Sequence, residues 1–468
     1  MGSPGVGHDG RVSDRPADVP TEGVDVAVVG AGGAGLVALH HLALGLLRGP
    51  ARPTPLRVAL VDDLERLRPG PDGERPRDRT WCSWEPAPAA APAVVRSWRA
   101  VEVLAPGARL ALDVRPLRYR MLRGEDYYAL VDADAARAQR SGRLELLRRP
   151  GATAVEDGAE RALVRTPGGD LEAAWVLDSR PCAPVRPART ALLQHFRGEL
   201  VRTDPAAPPP FDPDLPVLMD FRTPQPAVGL SFGYCLPLDG RTALVEYTEF
   251  SPAVLDDAGY ARGLAAYRRL LGLRPDPHGP DPQGPDPQGR GPHRTEPGGR
   301  ADGDERLVEV VAVDAVEQGA IPMADDVRTS RAGARVRRLG TAGGATRAST
   351  GYTFSALQRQ GAAVAAALLA GRDPLPPAAY PRRHRWMDAL VLRGLATGAL
   401  DGPAFFARLF AANPPDRVLR FLDGATTRRE ELVLMATAPR AAMARLAVED
   451  AVVRARRRLG AAMSRSVH

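Results

Sequence analysis

The 468-residue chain contains no lysine, so all 63 of its basic side chains are arginines. They are spread along the chain rather than gathered into a stripe, and Ala, Pro and Gly are also abundant, a pattern that coding bias explains better than a binding surface. The formal charge of +7 therefore does not point to nucleic acid, since no basic patch interleaves with aromatics. Cysteine is nearly absent. Cys82, Cys182 and Cys235 are far apart and odd in number, with no CxxC or Cys/His spacing, so neither a disulfide framework nor a zinc or other metal site is indicated. No eighteen uncharged apolar residues run together, and no transmembrane helix is expected. Residues 1–23 lack a basic start followed by an apolar run and read as a disordered leader. The expected location is the cytoplasm, with any membrane contact peripheral.

Aromatics are also scarce, at 5% of the chain with five tryptophans, yet "DRTWCSWE" sets two of them three residues apart. This stretch follows the clearest unit in the sequence. "VDVAVV" reads as a short apolar strand, "GAGGAG" as a glycine turn, "LVALHHLALGLL" as a helix, and "RVALVDD" as a second strand ending in acid. Later strands are expected at "RYRML", "AAWVLDS", "FGYCLPL" and "TALVEYTEF". Residues 276–304, with "PDPQGPDPQG", read as a disordered surface insertion. "RVRRLGTAGGA" repeats the pattern of a strand entering a glycine turn, and the Ala-rich stretch after Gly351 is a long helix stopped by Gly371 and Pro374. From Pro381 onward the pattern is amphipathic helix throughout.

Gly30, Gly32 and Gly35 fit G-x-G-x-x-G between a strand and a helix, where a tight turn lets the backbone approach a pyrophosphate at the helix N-terminus. Asp62 ends the second strand, placed to accept hydrogen bonds from a ribose diol, with Asp63 as its neighbouring competitor. The distal turn around Gly340 and Gly343, and the helix opening near Gly351 and Tyr352, supply a second anchor. That pairing suggests FAD more than NAD, since a helix N-terminus stabilises negative charge on a reduced ring.

Several stretches together resemble the flavin-dependent lycopene cyclases of the bacterial and plant type. They are "VAVVGAGGAGL" with "VALVDD", "RTWCSWE", "LDSRP", "QHFRGELV", "LMDFRTPQ", "FGYCLPLDGRTALVEYTEFS", "GAIPM" and "GTAGGATRASTGYTFSALQRQ". The resemblance implies an α/β, mixed α+β architecture. A Rossmann-like FAD domain would be built from residues 24–80, 131–185 and 331–375, and a strand-rich substrate domain from 81–130 and 186–330, with a helical region over 376–468. It implies FAD, active when reduced, NAD(P)H as reductant, and ring closure at the ends of lycopene or a related linear carotenoid, to β- or γ-carotene, without net oxidation.

The acidic motif of that family falls on Leu244 to Thr248 and its first acid on Glu246; the second is replaced by Tyr247, and Glu249 would point to the opposite face of the strand. Protonating an alkene needs an acid kept neutral in a dry pocket, which the apolar setting of Glu246 favours. Asp220 is the competing acid, with Arg222 placed to hold it ionised. Trp81 and Trp84 are candidates to line the polyene tunnel, where aromatic faces tolerate a cation; the alternative is that they fill the core. His195 is a candidate base, though an isolated histidine more often has a structural role. Two rivals stay open. One is a flavin monooxygenase or other polyene oxidoreductase, although Gly340-Thr341-Ala342-Gly343 lacks the acid such hydroxylases carry in this turn. The other is a non-enzymatic carotenoid- or flavin-binding protein at a membrane.

Overall fold

The computed structural model describes residues 21–63, 79–84, 89–274 and 307–465. Nearly all of the expected leader, the insertion at 276–304 and Asp78 lie outside the described residues. The chain opens with β1 (Glu22–Val29), α1 (Gly33–Arg48) and β2 (Leu56–Val61). β3 (Thr80–Ser83), β4 (Val94–Trp98), β5 (Ala100–Ala105), β6 (Ala108–Asp113) and β7 (Tyr119–Arg123) follow, then α2 (Gly124–Arg140) and β8 (Leu144–Arg149). Next come β9 (Ala154–Glu156), β10 (Ala162–Arg165), β11 (Leu171–Asp178), β12 (Ala191–Thr203), β13 (Val217–Asp220), β14 (Leu230–Pro237) and β15 (Thr242–Ser251), before α3 (Asp257–Leu270). The remainder is β16 (Val310–Ala324), β17 (Val336–Arg338), α4 (Phe354–Leu369), and α5 (Arg382–Ala396), α6 (Gly402–Ala411), α7 (Pro415–Leu422), α8 (Arg428–Thr437) and α9 (Arg440–Arg465).

Three sheets result. The first runs β8-β2-β1-β11-β10-β9, with β17 also on β11; its β8, β2, β1, β11 and β17 pair in parallel. Val, Leu and Ala fill β1 and β2 on both faces, as a parallel strand covered on both sides requires. One face packs on α1, α2 and α4. Gly35 is fixed by this packing: a Cβ there would lie 1.9 Å from the Gly30 carbonyl oxygen, so no other residue lets α1 start against β1.

The second sheet, β16-β12-β15-β14-β13-β5-β6, is antiparallel except where β13 runs beside β5. β15 sits inside it and is buried along almost its whole length. One face carries Val245, with Tyr247 packed on Gly263 of α3; the other carries Leu244 and Phe250, which join the core shared with α5, α6 and α7. A small third sheet, β3-β7-β4, carries both tryptophans of the "TWCSW" stretch at or just beyond β3.

Arg347 joins the helical region to the distal turn. Its fully buried guanidinium donates to Asp388 of α5 at 3.0 Å and to the Phe421 carbonyl of α7.

Candidate functional site

Both glycine turns open onto one cavity of about 590 Å³, a volume within the usual range of ligand sites. Its floor comes from Gly32, Gly33 and Ala34 at the start of α1 and from Gly340, Thr341 and Ala342 of the distal turn. Gly351 and Tyr352 lead into α4 on the same wall, and Trp81 and Trp84 stand over it. From the second sheet, Glu246, Gln194 and Tyr234 face inward. The two helices present their N-termini here without a side-chain cap: α1 begins after Gly32 and α4 after Thr353. Their first-turn N–H groups, together with the positive end of each helix dipole, suit an anionic group.

The first turn is held by its neighbours. The Gly30 N–H donates to the Val61 carbonyl at 2.8 Å, and the Ser179 hydroxyl donates to the Val29 and Gly30 carbonyls at 3.0 and 3.1 Å. Asp62 accepts from the Ala31 N–H at 2.5 Å and the Asp63 N–H at 2.7 Å. It therefore lies at the carboxyl end of β2 directly beside the turn, while Gly30, Gly35 and Gly343 shape the backbone without lining the cavity.

Glu246 is buried, with 8% of its surface exposed, and accepts from the Thr248 hydroxyl at 2.7 Å. Burial pushes its carboxyl well above the ordinary range; the charge of nearby Glu317 adds to the shift, and the Thr248 hydroxyl opposes it. Cys82 and Tyr234 face the same space, and burial raises the Cys82 thiol to about 12 and the Tyr234 phenol well above its ordinary value. Both are therefore neutral at physiological pH.

Asp220 is placed elsewhere. It is fully buried at the end of β13, in a two-point ion pair with Arg222 at 2.9 and 2.6 Å, and does not line this cavity. His195 likewise turns away, its ring bonded to the Tyr260 hydroxyl at 2.9 Å and the Ser251 hydroxyl at 2.7 Å. Glu249 lies on that opposite face, accepting from the Tyr247 hydroxyl at 2.8 Å. Trp84 is almost completely buried against Tyr119 and Tyr352, and Trp81 is partly buried against Tyr127, Tyr128 and Phe354. Each is thus both a packing residue and a wall of the cavity.

Three cavity residues had no place in the sequence-level expectation. Glu317 of β16 accepts from the Thr80 hydroxyl at 2.9 Å. Gln194 of β12 buries an Oε1 that has no hydrogen-bond partner among the described residues. Asp423, just past α7, has its carboxyl raised to about 6 by burial, against the opposing pull of the Arg359 charge. None has a local sequence signal, because each reaches the cavity through long-range strand register or helix packing.

A largely parallel sheet with a glycine turn at the carboxyl ends of its strands, fed by three separate chain segments and joined to a large antiparallel sheet, defines a mixed α/β protein with a Rossmann-like fold. Solved structures share the fold. A geranylgeranyl bacteriochlorophyll reductase-like protein from Thermoplasma acidophilum aligns at 12% identity over 91% of this chain and 99% of its own, with a TM-score of 0.52. A flavoprotein/dehydrogenase from Cytophaga hutchinsonii aligns at 11% identity over 92% and 100%, with a TM-score of 0.51. No curated protein matches the chain in sequence. The family model described as lycopene cyclase protein matches residues 25–277 and 302–448, and the chain belongs to the lycopene cyclase family.

Among the described residues no helix is long and apolar enough to cross a membrane, and no group of His, Cys, Asp or Glu could hold a metal ion.

Proposed function

We propose that the protein is a lycopene cyclase that closes the ends of lycopene, or of a related linear carotenoid, to ionone rings by acid catalysis, with β- or γ-carotene as product. The observation that carries this reading is Glu246: a buried carboxyl, favoured in its neutral form, facing the same cavity as two glycine turns and two tryptophans. An alkene is a poor base, so protonating it needs an acid that still holds its proton at physiological pH in a dry site, and a buried carboxyl favoured in its neutral form supplies one. Asp220, held by Arg222 away from the cavity, is the weaker candidate.

The residues present fit a flavin dinucleotide. Gly32 with the N-terminus of α1 would hold the pyrophosphate, in a turn that Gly30 and Gly35 shape, with Asp62 beside it for the ribose; Gly340, Gly351 and Tyr352, in a turn that Gly343 shapes, would hold the ring end. The unpartnered Gln194 Oε1 and the uncapped start of α4 face the same space. When bound and reduced by NAD(P)H, FAD supplies an electron-rich ring that stabilises nearby positive charge. The chain's own part is to deliver a proton from Glu246, to exclude water with the Trp81 and Trp84 walls, and to present aromatic faces to the cation. A polyene is insoluble, so the substrate arrives from a membrane surface; the outer faces of α8 and α9 expose Leu432, Val433, Val448 and Val452, which suits peripheral contact.

Expression in lycopene-accumulating cells tests the reading. Cyclic carotenes should appear with the wild-type chain and not with Glu246→Gln. Lycopene left unchanged by the flavin-loaded wild-type protein, or oxygenated products, would overturn it.

A further inference from the structure

Gln194 of β12 carries an amide that spends none of its hydrogen-bonding capacity on the protein. Only 8% of the residue is exposed, and neither its carbonyl nor its NH2 group has a partner among the described residues. Its Oε1 occupies the space that Gly351 leaves by having no side chain: a Cβ on Gly351 would stand 1.9 Å from that oxygen. The donors at this point are committed elsewhere. The Gly351 N–H goes to the Arg347 carbonyl at 2.9 Å, and the Thr353 hydroxyl goes to the Gly351 carbonyl at 2.8 Å. A buried amide left in this way is costly, and native structures rarely carry one without a reason.

The surroundings of the amide say which partner it suits. Gln194 and Gly351 both line the cavity, and Gly351 stands just before Thr353, after which α4 opens without a side-chain cap. The first-turn N–H groups of α4 suit an oxygen that carries negative charge. The pyrimidine end of an isoalloxazine ring offers such an oxygen at C2 and, next to it, the N3–H, a donor flanked by two carbonyls. A carboxamide holds an acceptor and a donor side by side, which matches an N–H beside a carbonyl. Phosphates have no such pair. Adenine has one, but Asp62 draws the adenosine end to the first glycine turn.

We propose that Gln194 is the residue that reads the flavin ring, its amide pairing with the N3–H and an adjoining carbonyl while the start of α4 faces the C2 oxygen. This rests on the reading of the cavity as a flavin site. The same arrangement requires glycine at 351, since a side chain there would take the position of the amide oxygen.

The test uses the full chain freed of flavin, titrated with FAD and with FAD methylated at N3, and follows the quenching of flavin fluorescence. Wild type should bind the methylated flavin at least about tenfold more weakly than FAD, because methylation removes the donor and leaves the amide unpaired. Gln194→Ala should bind FAD about tenfold more weakly than wild type does and should no longer separate the two flavins. An unaltered circular dichroism spectrum distinguishes that loss from unfolding. With FAD carrying heavy nitrogen at N3, the N3 proton bound to wild type should be resolved by NMR and slow to exchange, a readout that needs no variant. Equal binding of the two flavins by wild type, discrimination kept by Gln194→Ala, or an N3 proton that exchanges as in free FAD would each overturn the proposal. Discrimination in a chain that leaves lycopene unchanged would uphold Gln194 and sink the cyclase reading. A chain that binds neither flavin would overturn both.

Discussion

Trp81 is stacked on Phe354, ring centroids 5.3 Å apart and planes 21° from parallel, so β3 is bound to the first residue of α4. The same indole lies 3.3 Å from where a Cβ on Gly33 would stand, at the first turn of α1. One side chain therefore ties together both helix N-termini that face the cavity. Trp81→Ala should remove that tie and leave a void. We expect flavin affinity to fall and stability to drop by about 1–3 kcal/mol, below the cost of truncating a fully buried aromatic because Trp81 is only partly buried. Equilibrium dialysis of FAD alongside thermal unfolding checks both, and unchanged FAD affinity would confine Trp81 to packing.

Asp62→Ala should weaken FAD binding while the fold persists. The carboxylate accepts from the Ala31 N–H, and its oxygens have capacity for further donors from a ribose. Loss of charge-assisted hydrogen bonds worth about 1.5–3 kcal/mol corresponds to roughly a 10- to 100-fold rise in Kd. Retention of stoichiometric flavin through gel filtration would contradict the assignment.

The pairing of Arg347 with Asp388 makes a stability prediction independent of catalysis. Asp388→Ala leaves a buried guanidinium without its countercharge, which typically costs about 3–5 kcal/mol. Denaturant unfolding should show the loss, and a change below about 1 kcal/mol would mean that the pair is relieved by solvent.

Asp423 gives a signed pH dependence. Its folded-state carboxyl titrates at about 6, above the ordinary 3.8, so the native state holds this proton more tightly than the unfolded chain does. The stability contribution is complete below the unfolded value and is lost as pH rises through about 6. Asp423→Asn removes that loss, so the variant should gain on wild type across this interval by up to roughly 3 kcal/mol. Melting curves from pH 4 to pH 8 measure the difference, and a constant offset would show that the carboxyl is not held neutral.

The sequence made the scaffold legible because its periodicity is strong. "VDVAVV", the turn and "RVALVDD" became β1, α1 and β2, and the distal "RVRRLGTAGG" became β17 and its turn. Glu246 was legible as a candidate, as the acid that follows the apolar run Ala243–Val245. Glu317 was not, because β16 is an edge strand whose exposed and half-buried positions alternate, and nothing local reveals its register against β12. Gly198 meets Glu246 and Glu317 only through that register. Asp423 follows α7, and the amphipathic pattern there announces a helix without saying which end reaches the cavity. Asp220 and Glu246 are two acids that the sequence could not rank; the difference between them is three-dimensional, an arginine partner for one and a cavity for the other.

The source of the added hydrogen tests the central claim most directly. The reaction is run anaerobically in heavy water with prereduced flavin, and product mass and NAD(P)H oxidation are followed together. If Glu246, whose proton exchanges with solvent, protonates the chain end, each ring formed should carry deuterium at the carbon protonated first. The product should match lycopene in hydrogen count, and no NAD(P)H should be consumed per ring. Stoichiometric NAD(P)H oxidation, or a product differing from lycopene in hydrogen count, would contradict the acid-catalysed, non-redox account and restore the oxidoreductase rival.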